Sequence, residues 1–111
     1  MPKPKPLPAP LKPHYFQILL AVSGGDLHGY AIQRAVLDQT DDQMRLWPAM
    51  LYRSLARLEA ADLLAEAGAP EDHPSDERRR YYTLTEAGRQ RLGEEALLMS
   101  RWAQAALEAV S

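Results

Sequence analysis

Leu51-Tyr52-Arg53-Ser54-Leu55-Ala56-Arg57-Leu58-Glu59 sets Leu51, Leu55 and Leu58 on one helical face and leaves Tyr52, Arg53 and Arg57 outside it. A helix of that pattern buries one side and offers the other to something anionic. Pro48, just upstream, suits the first turn of such a helix, where its missing N–H would be unpaired anyway, and the helix is expected to reach about Ala61. Downstream, Leu63–Glu66 and Arg79–Leu84, the latter holding the β-favouring pair Tyr81-Tyr82, read as the strands of a hairpin. The loop Ala67–Glu77 between them carries a glycine, two prolines and several acids, and Arg78, Arg79 and Arg80 stand at its rim. These segments suggest a DNA-reading helix followed by a basic wing.

Upstream of Pro48, Tyr15 to Val22 is almost continuously apolar, consistent with a buried helix or a strand. Pro13 before it favours a helix, broken at Ser23-Gly24-Gly25. Asp26 is expected to cap a second helix through about Gln39, with Leu27, Tyr30, Ala31 and Val36 on its apolar side and Gly29 leaving room for a crossing helix. Thr40–Leu46 is a polar, acidic linker. In residues 1–13 proline is so dense that neither a helix nor a central strand fits. That segment reads as a mobile Pro/Lys-rich tail, whose Lys3, Lys5 and Lys12 could touch phosphates, with folded structure starting near His14.

Thr85 is a natural N-cap and Glu86 complements the helix dipole, so a last helix should span about Glu86 to Ala109, slightly weakened by Gly88 and Gly93. Leu92, Ala96, Met99, Ala103, Ala106 and Val110 alternate at four- and three-residue spacings, a helix-packing seam widened by Leu98, Trp102 and Ala105. So small a body cannot cover such a helix. The excess apolar surface points to a homodimer, against the plainer reading of a helix folded back on its own domain.

Composition narrows the function. The 111 residues suit one domain, which at this size buries only about two thirds of the surface its unfolded chain exposes. There is no cysteine, and His14, His28 and His73 are too widely spaced for a helical ligand pair, so no metal or cofactor is expected. No apolar run approaches the roughly 20 residues that cross a bilayer, and no secretory leader is seen, which implies a cytoplasmic protein. No nucleophile-elbow, P-loop, dinucleotide-binding or zinc pattern points to an enzyme. The net charge of −2 is low for a nucleic-acid binder. The arginines nevertheless gather at Arg45, Arg53, Arg57 and Arg78–Arg80, apart from the acids of 38–42 and 66–77.

Three blocks resemble the PadR-like winged helix-turn-helix transcriptional regulators: His28-Gly29-Tyr30-Ala31-Ile32, then Leu51-Tyr52 with Leu55 and Arg57-Leu58-Glu59, then Arg80-Tyr81-Tyr82-Thr83-Leu84-Thr85-Glu86-Ala87-Gly88-Arg89. The resemblance covers roughly residues 14–111 and is similar to short members with a single C-terminal dimerisation helix. It implies a mainly α fold with a small β-hairpin wing, a winged helix over 14–85 and a dimerisation helix over 86–111. It also implies a homodimeric regulator of double-stranded DNA, commonly a repressor relieved by a small aromatic or hydrophobic ligand. The DNA contacts would fall to Tyr52, Arg53, Met50, Arg57, Arg78, Arg79 and Arg80. Dimerisation through the first and last helices would use Phe16, Leu19, Leu92, Met99, Trp102, Ala103, Ala106 and Val110. Trp102 could stack a flat ligand, whereas Trp47 reads as a core or staple residue.

Ala49-Met50 before the Leu-Tyr pair and Arg53 after it depart from the family pattern of glycine or serine, a small hydroxyl residue and a following proline. Base preference therefore does not transfer. Met50 could meet a thymine methyl or simply pack. The acidic balance leaves one other reading, a winged-helix protein-interaction module without DNA binding.

Overall fold

The computed structural model describes residues 3–69 and 79–111. Its elements are α1 (Pro13–Val22), β1 (Leu27–His28), α2 (Gly29–Gln39), α3 (Pro48–Ala60), β2 (Leu64–Ala67), β3 (Tyr81–Leu84) and α4 (Glu86–Val110). The three strands form an antiparallel sheet in the order β1-β3-β2, pairing Leu27 with Tyr82 on one side of β3 and Leu64 with Leu84 on the other. This is a winged helix with a long C-terminal helix.

As expected, α3 buries Leu51, Leu55 and Leu58, and Pro48 occupies its first turn. They meet Ile18, Leu19 and Val22 of α1, Ile32 and Val36 of α2, and Leu64 and Tyr82 of the sheet in one core. Each leucine so buried contributes roughly 1.5–3 kcal/mol, which makes this face the main tie between α3 and the body.

β1 was not legible as a strand, and it moves the start of α2. Because Leu27 and His28 pair in extended form with Tyr82 and Tyr81, the helix cannot begin at Asp26. His28 is the N-cap instead, its Nδ1 accepting from the Ala31 N–H at 3.2 Å. The buried side of α2 is then Gly29, Ile32 and Val36, and Tyr30 turns to solvent.

Residues 3–12, expected to stand apart as a tail, pack on the body here. Leu7 and Leu11 are only 5% and 8% exposed and belong to the core. The Lys5 N–H donates to the Ala60 carbonyl at 2.8 Å, and the Leu11 N–H donates to Glu95 Oε1 at 2.7 Å. Proline does exclude helix here, yet an extended backbone stiffened by proline loses little entropy on docking, and two leucines give it a reason to dock. The domain boundary expected at residue 13 is therefore crossed by the core.

Thr85 caps α4 as expected, accepting from the Gly88 N–H at 2.8 Å while its hydroxyl donates to the Asp62 carbonyl at 2.6 Å. Asp62 reverses the chain after α3 at φ 61°, a left-handed conformation that aspartate tolerates better than most residues. Gly88 is not a weak point but a requirement. A Cβ there would stand 2.1 Å from the Leu63 carbonyl oxygen and 2.8 Å from Leu84 Cδ1, whereas one at Gly93 would meet nothing within 4 Å.

Among the expected interface residues, Leu19 is wholly buried in the core and Leu92 packs against it, because α1 turns that side inward. Phe16 is half-buried. Beyond Glu95, α4 leaves the body, exposing Leu97, Met99, Trp102, Leu107 and Val110. No helix among the described residues is long and apolar enough to cross a membrane.

Two glycine substitutions should therefore diverge in thermal unfolding. Gly88→Ala should cost roughly 1–3 kcal/mol through the backbone clash, and Gly93→Ala should gain about 0.5–1 kcal/mol from helix propensity alone. Equal effects would refute the close approach at Leu63.

Candidate nucleic-acid interface

α3 reaches the surface through Tyr52, Arg53 and Arg57, all exposed. Tyr52 lies across the start of α2, where a Cβ on Gly29 would stand 2.9 Å from its hydroxyl. The expected room beside Gly29 is thus filled by an aromatic ring of the crossing helix. Tyr52 both packs and presents a phenol, being 53% exposed.

A cleft of about 470 Å³ opens there, lined by His28, Gly29, Tyr30, Tyr52, Arg79 and Arg80. The sheet brings the two arginines to α3, since β3 runs between β1 and β2. Arg79 Nη1 stands 2.9 Å from His28 Nε2, and the His28 ring meets Tyr81 edge-on at 5.4 Å. Tyr30 carries Arg34 over its ring at 5.9 Å, with Arg34 Nη1 donating to the phenol at 3.4 Å. Cations and aromatic faces on one exposed side suit a polyanion with sugars and bases attached.

Arg80 is more engaged than its place in an arginine run suggests. Its Nε lies 2.5 Å from Glu66 Oε1, and a hydrogen bond with Tyr82 and then the Glu66 charge hold its guanidinium even more firmly ionised. Burial pushes the Tyr82 phenol above its ordinary value. Partial burial, followed by repulsion from Glu66, also raises the Glu59 carboxyl on α3, and Arg80 opposes that rise. Arg80 thus bridges the wing and the acids of α3 and β2.

The remaining candidates scatter. Met50 is half-buried against the core, which favours its packing role. Arg57 lies five residues beyond Tyr52, about 140° around the helix, and lines a different cleft with Leu7, Pro8, Leu11 and Tyr15. Arg78 and the acidic segment 71–77 lie outside the described residues. Trp47 is not a core residue. It is 64% exposed at the start of α3, with the Arg45 guanidinium 5.4 Å from its ring. His28, Tyr30 and Arg34, which lie in or beside this cleft, were not among the residues expected there. Tyr30 and Arg34 could have been found from their four-residue spacing on one helix.

Among the described residues, no three of His, Cys, Asp or Glu gather as metal ligands. Comparison with known proteins gives a family and a fold. Residues 18–94 match the family described as "Transcriptional regulator PadR-like family". An uncharacterized 37.1 kDa protein in a Streptomyces fradiae transposon is 43% identical over 86 residues, 76% of this chain, and the chain spans only 22% of that relative's length. The fold is similar to that of a transcriptional regulator from Clostridium thermocellum, with TM-score 0.72 and 23% identity over 88% of this chain and 90% of that one. A PadR family transcription regulator from Clostridium difficile gives TM-score 0.74 and 21% identity, covering 88% and 98%. Bordetella bronchiseptica BpsR, whose DNA binding is regulated by 6-hydroxynicotinic acid, gives TM-score 0.69 and 23% identity, covering 87% and 61%.

The raised Glu59 carboxyl makes a pH prediction. Its folded form holds a proton more tightly than its unfolded form, so ionised Glu59 costs stability above its folded pKa and the cost vanishes as pH falls below the unfolded value. Glu59→Gln should raise the melting temperature by about 2 °C at pH 8 and by less at pH 4. A gain that grows toward acid would contradict the assignment.

Proposed function

The chain belongs to the PadR-like family of transcriptional regulators, and from that premise we propose that it is a cytoplasmic, sequence-specific DNA-binding repressor that acts as a homodimer. The observation that supports this reading is the cleft between α3 and the wing, where Tyr52 stands with Arg79 and Arg80, while Arg53 is exposed on the same helix. α3 would enter the major groove, with Arg53 on guanine edges and Tyr52 on a phosphate. Arg79, Arg80 and Arg78 would follow the phosphates beside it. Arg57 and Met50 take lesser parts, one turned toward the N-terminal segment and the other packed.

The exposed stretch of α4, with Met99, Trp102, Ala103, Ala106 and Val110, is the proposed dimer surface, and Phe16, half-buried on α1, is proposed to add to it. Two reading helices related by a two-fold axis would meet an inverted repeat about 34 Å apart. Trp102, half-exposed on that helix, offers an indole face to a small aromatic or hydrophobic effector. The regulation of BpsR by 6-hydroxynicotinic acid supports an effector of that kind. The gathered cations and aromatic faces support a binding module rather than an enzyme.

Fluorescence anisotropy against the promoter DNA of its own gene and a scrambled duplex tests the reading. Arg53→Ala should cost about 1–3 kcal/mol and relax base preference, while Arg79→Ala should weaken binding to all sequences and lower the salt slope by about 1. No binding by the parent even at low salt would sink the DNA reading and favour a protein-interaction module. Sedimentation at micromolar concentration should give a species of twice the 12.5 kDa chain mass, and a 12.5 kDa species would remove the two-groove arrangement.

A further inference from the structure

The N-terminal segment links the two helices on which that arrangement depends. Its Lys5 N–H satisfies the Ala60 carbonyl at the last residue of α3, and its Leu11 N–H is held by Glu95 on α4. Between these points Leu7 and Leu11 enter the same core as Leu51, Leu55 and Leu58 of α3. Glu95 is itself 4% exposed, and its other carboxylate oxygen accepts from Arg91 Nε at 3.1 Å. A buried carboxylate must have its oxygens hydrogen-bonded, and among the described residues the Leu11 N–H is one of the two donors that Glu95 meets.

Geometry gives this link its consequence. Gly88 and Glu95 are the buried residues of α4, Leu92 between them packs on the core, and nearly every residue beyond Glu95 is exposed. A rod gripped at one point can pivot, whereas two grips fix its direction. The grips are seven residues apart, about 10 Å along the axis, and the free arm from Glu95 to Val110 is about 22 Å. With Glu95 released the pivot is Gly88, about 33 Å from Val110, so a 10° change in direction would move the helix end by roughly 6 Å, more than the rise of one base pair.

We infer that residues Lys5–Lys12 are a clamp that fixes the angle between α3 and α4, and so sets the half-site spacing that a dimer accepts. The second half of that statement rests on the DNA-binding dimer proposed above. The clamp itself does not.

Because the chain has no cysteine, spin labels can be placed uniquely at Ala56→Cys on α3 and Gln104→Cys on α4, both exposed. Labelled protein diluted into excess unlabelled protein then reports the distance within one protomer. The parent should give one narrow distribution, Leu7→Ser with Leu11→Ser should at least double its width at unchanged helix content, and Glu95→Leu, which leaves the Leu11 N–H no acceptor on α4, should broaden it less. Equal widths overturn the clamp whether or not the protein binds DNA, and if the double variant does not fold, Glu95→Leu decides. On a site selected by the parent from random duplexes, the parent should prefer its own spacing over a one-base-pair shift by about tenfold and the variants by about twofold. An unchanged ratio overturns the spacing role. A parent that selects no site overturns both the spacing role and the DNA reading, and leaves the clamp to the distance measurement.

Discussion

The hydroxyl of Thr85 holds together the three segments on which the geometry depends. It donates to the Asp62 carbonyl in the reversal after α3 and accepts from the Gly88 N–H in the first turn of α4, while the Thr85 N–H donates to the Leu63 carbonyl. One residue thereby joins the exit of α3, the base of the wing and the root of the long helix. The absent side chain at Gly88 allows this closure, since Leu63 passes where a Cβ would sit. Any change that opened the junction would disturb the wing and α4 at once.

The electrostatics follow the same economy of position. A chain of net charge −2 offers a locally cationic surface because its sheet carries Arg79 and Arg80 to the cleft that Tyr52 of α3 lines. Those cations are not all equally available. Glu66 and Tyr82 hold Arg80 against the wing, so its charge is partly spent in fixing β3, while Arg79 stands beside His28 at the start of α2. Exposed pairs of this kind add little stability. Their effect is to orient guanidinium groups that would otherwise sweep freely through solvent.

Much of this was readable in advance. The α3 face, Pro48 at its start, the Thr85 cap and the hairpin strands all follow from local rules, in which side-chain spacing and orphan N–H groups decide the element. The candidate site was readable only in part. Tyr52 and Arg53 could be placed by helical periodicity, but the separation of Arg57 from the wing cleft, the exposure of Trp47 and the recruitment of His28 depend on how elements cross. No pattern within one element encodes a crossing.

The sequence by itself determined the elements and the family, because both are written in short-range spacings and in blocks such as Arg80-Tyr81-Tyr82-Thr83-Leu84. Only the tertiary structure decided that Leu27 and His28 form a strand, that Gly88 is obligatory and that the proline-rich segment is part of the core. The physical reason is common to all three. A two-residue strand needs a partner to exist, a glycine's necessity lies in the backbone that passes it, and a segment without internal hydrogen bonds becomes ordered only when distant residues such as Ala60 and Glu95 supply them.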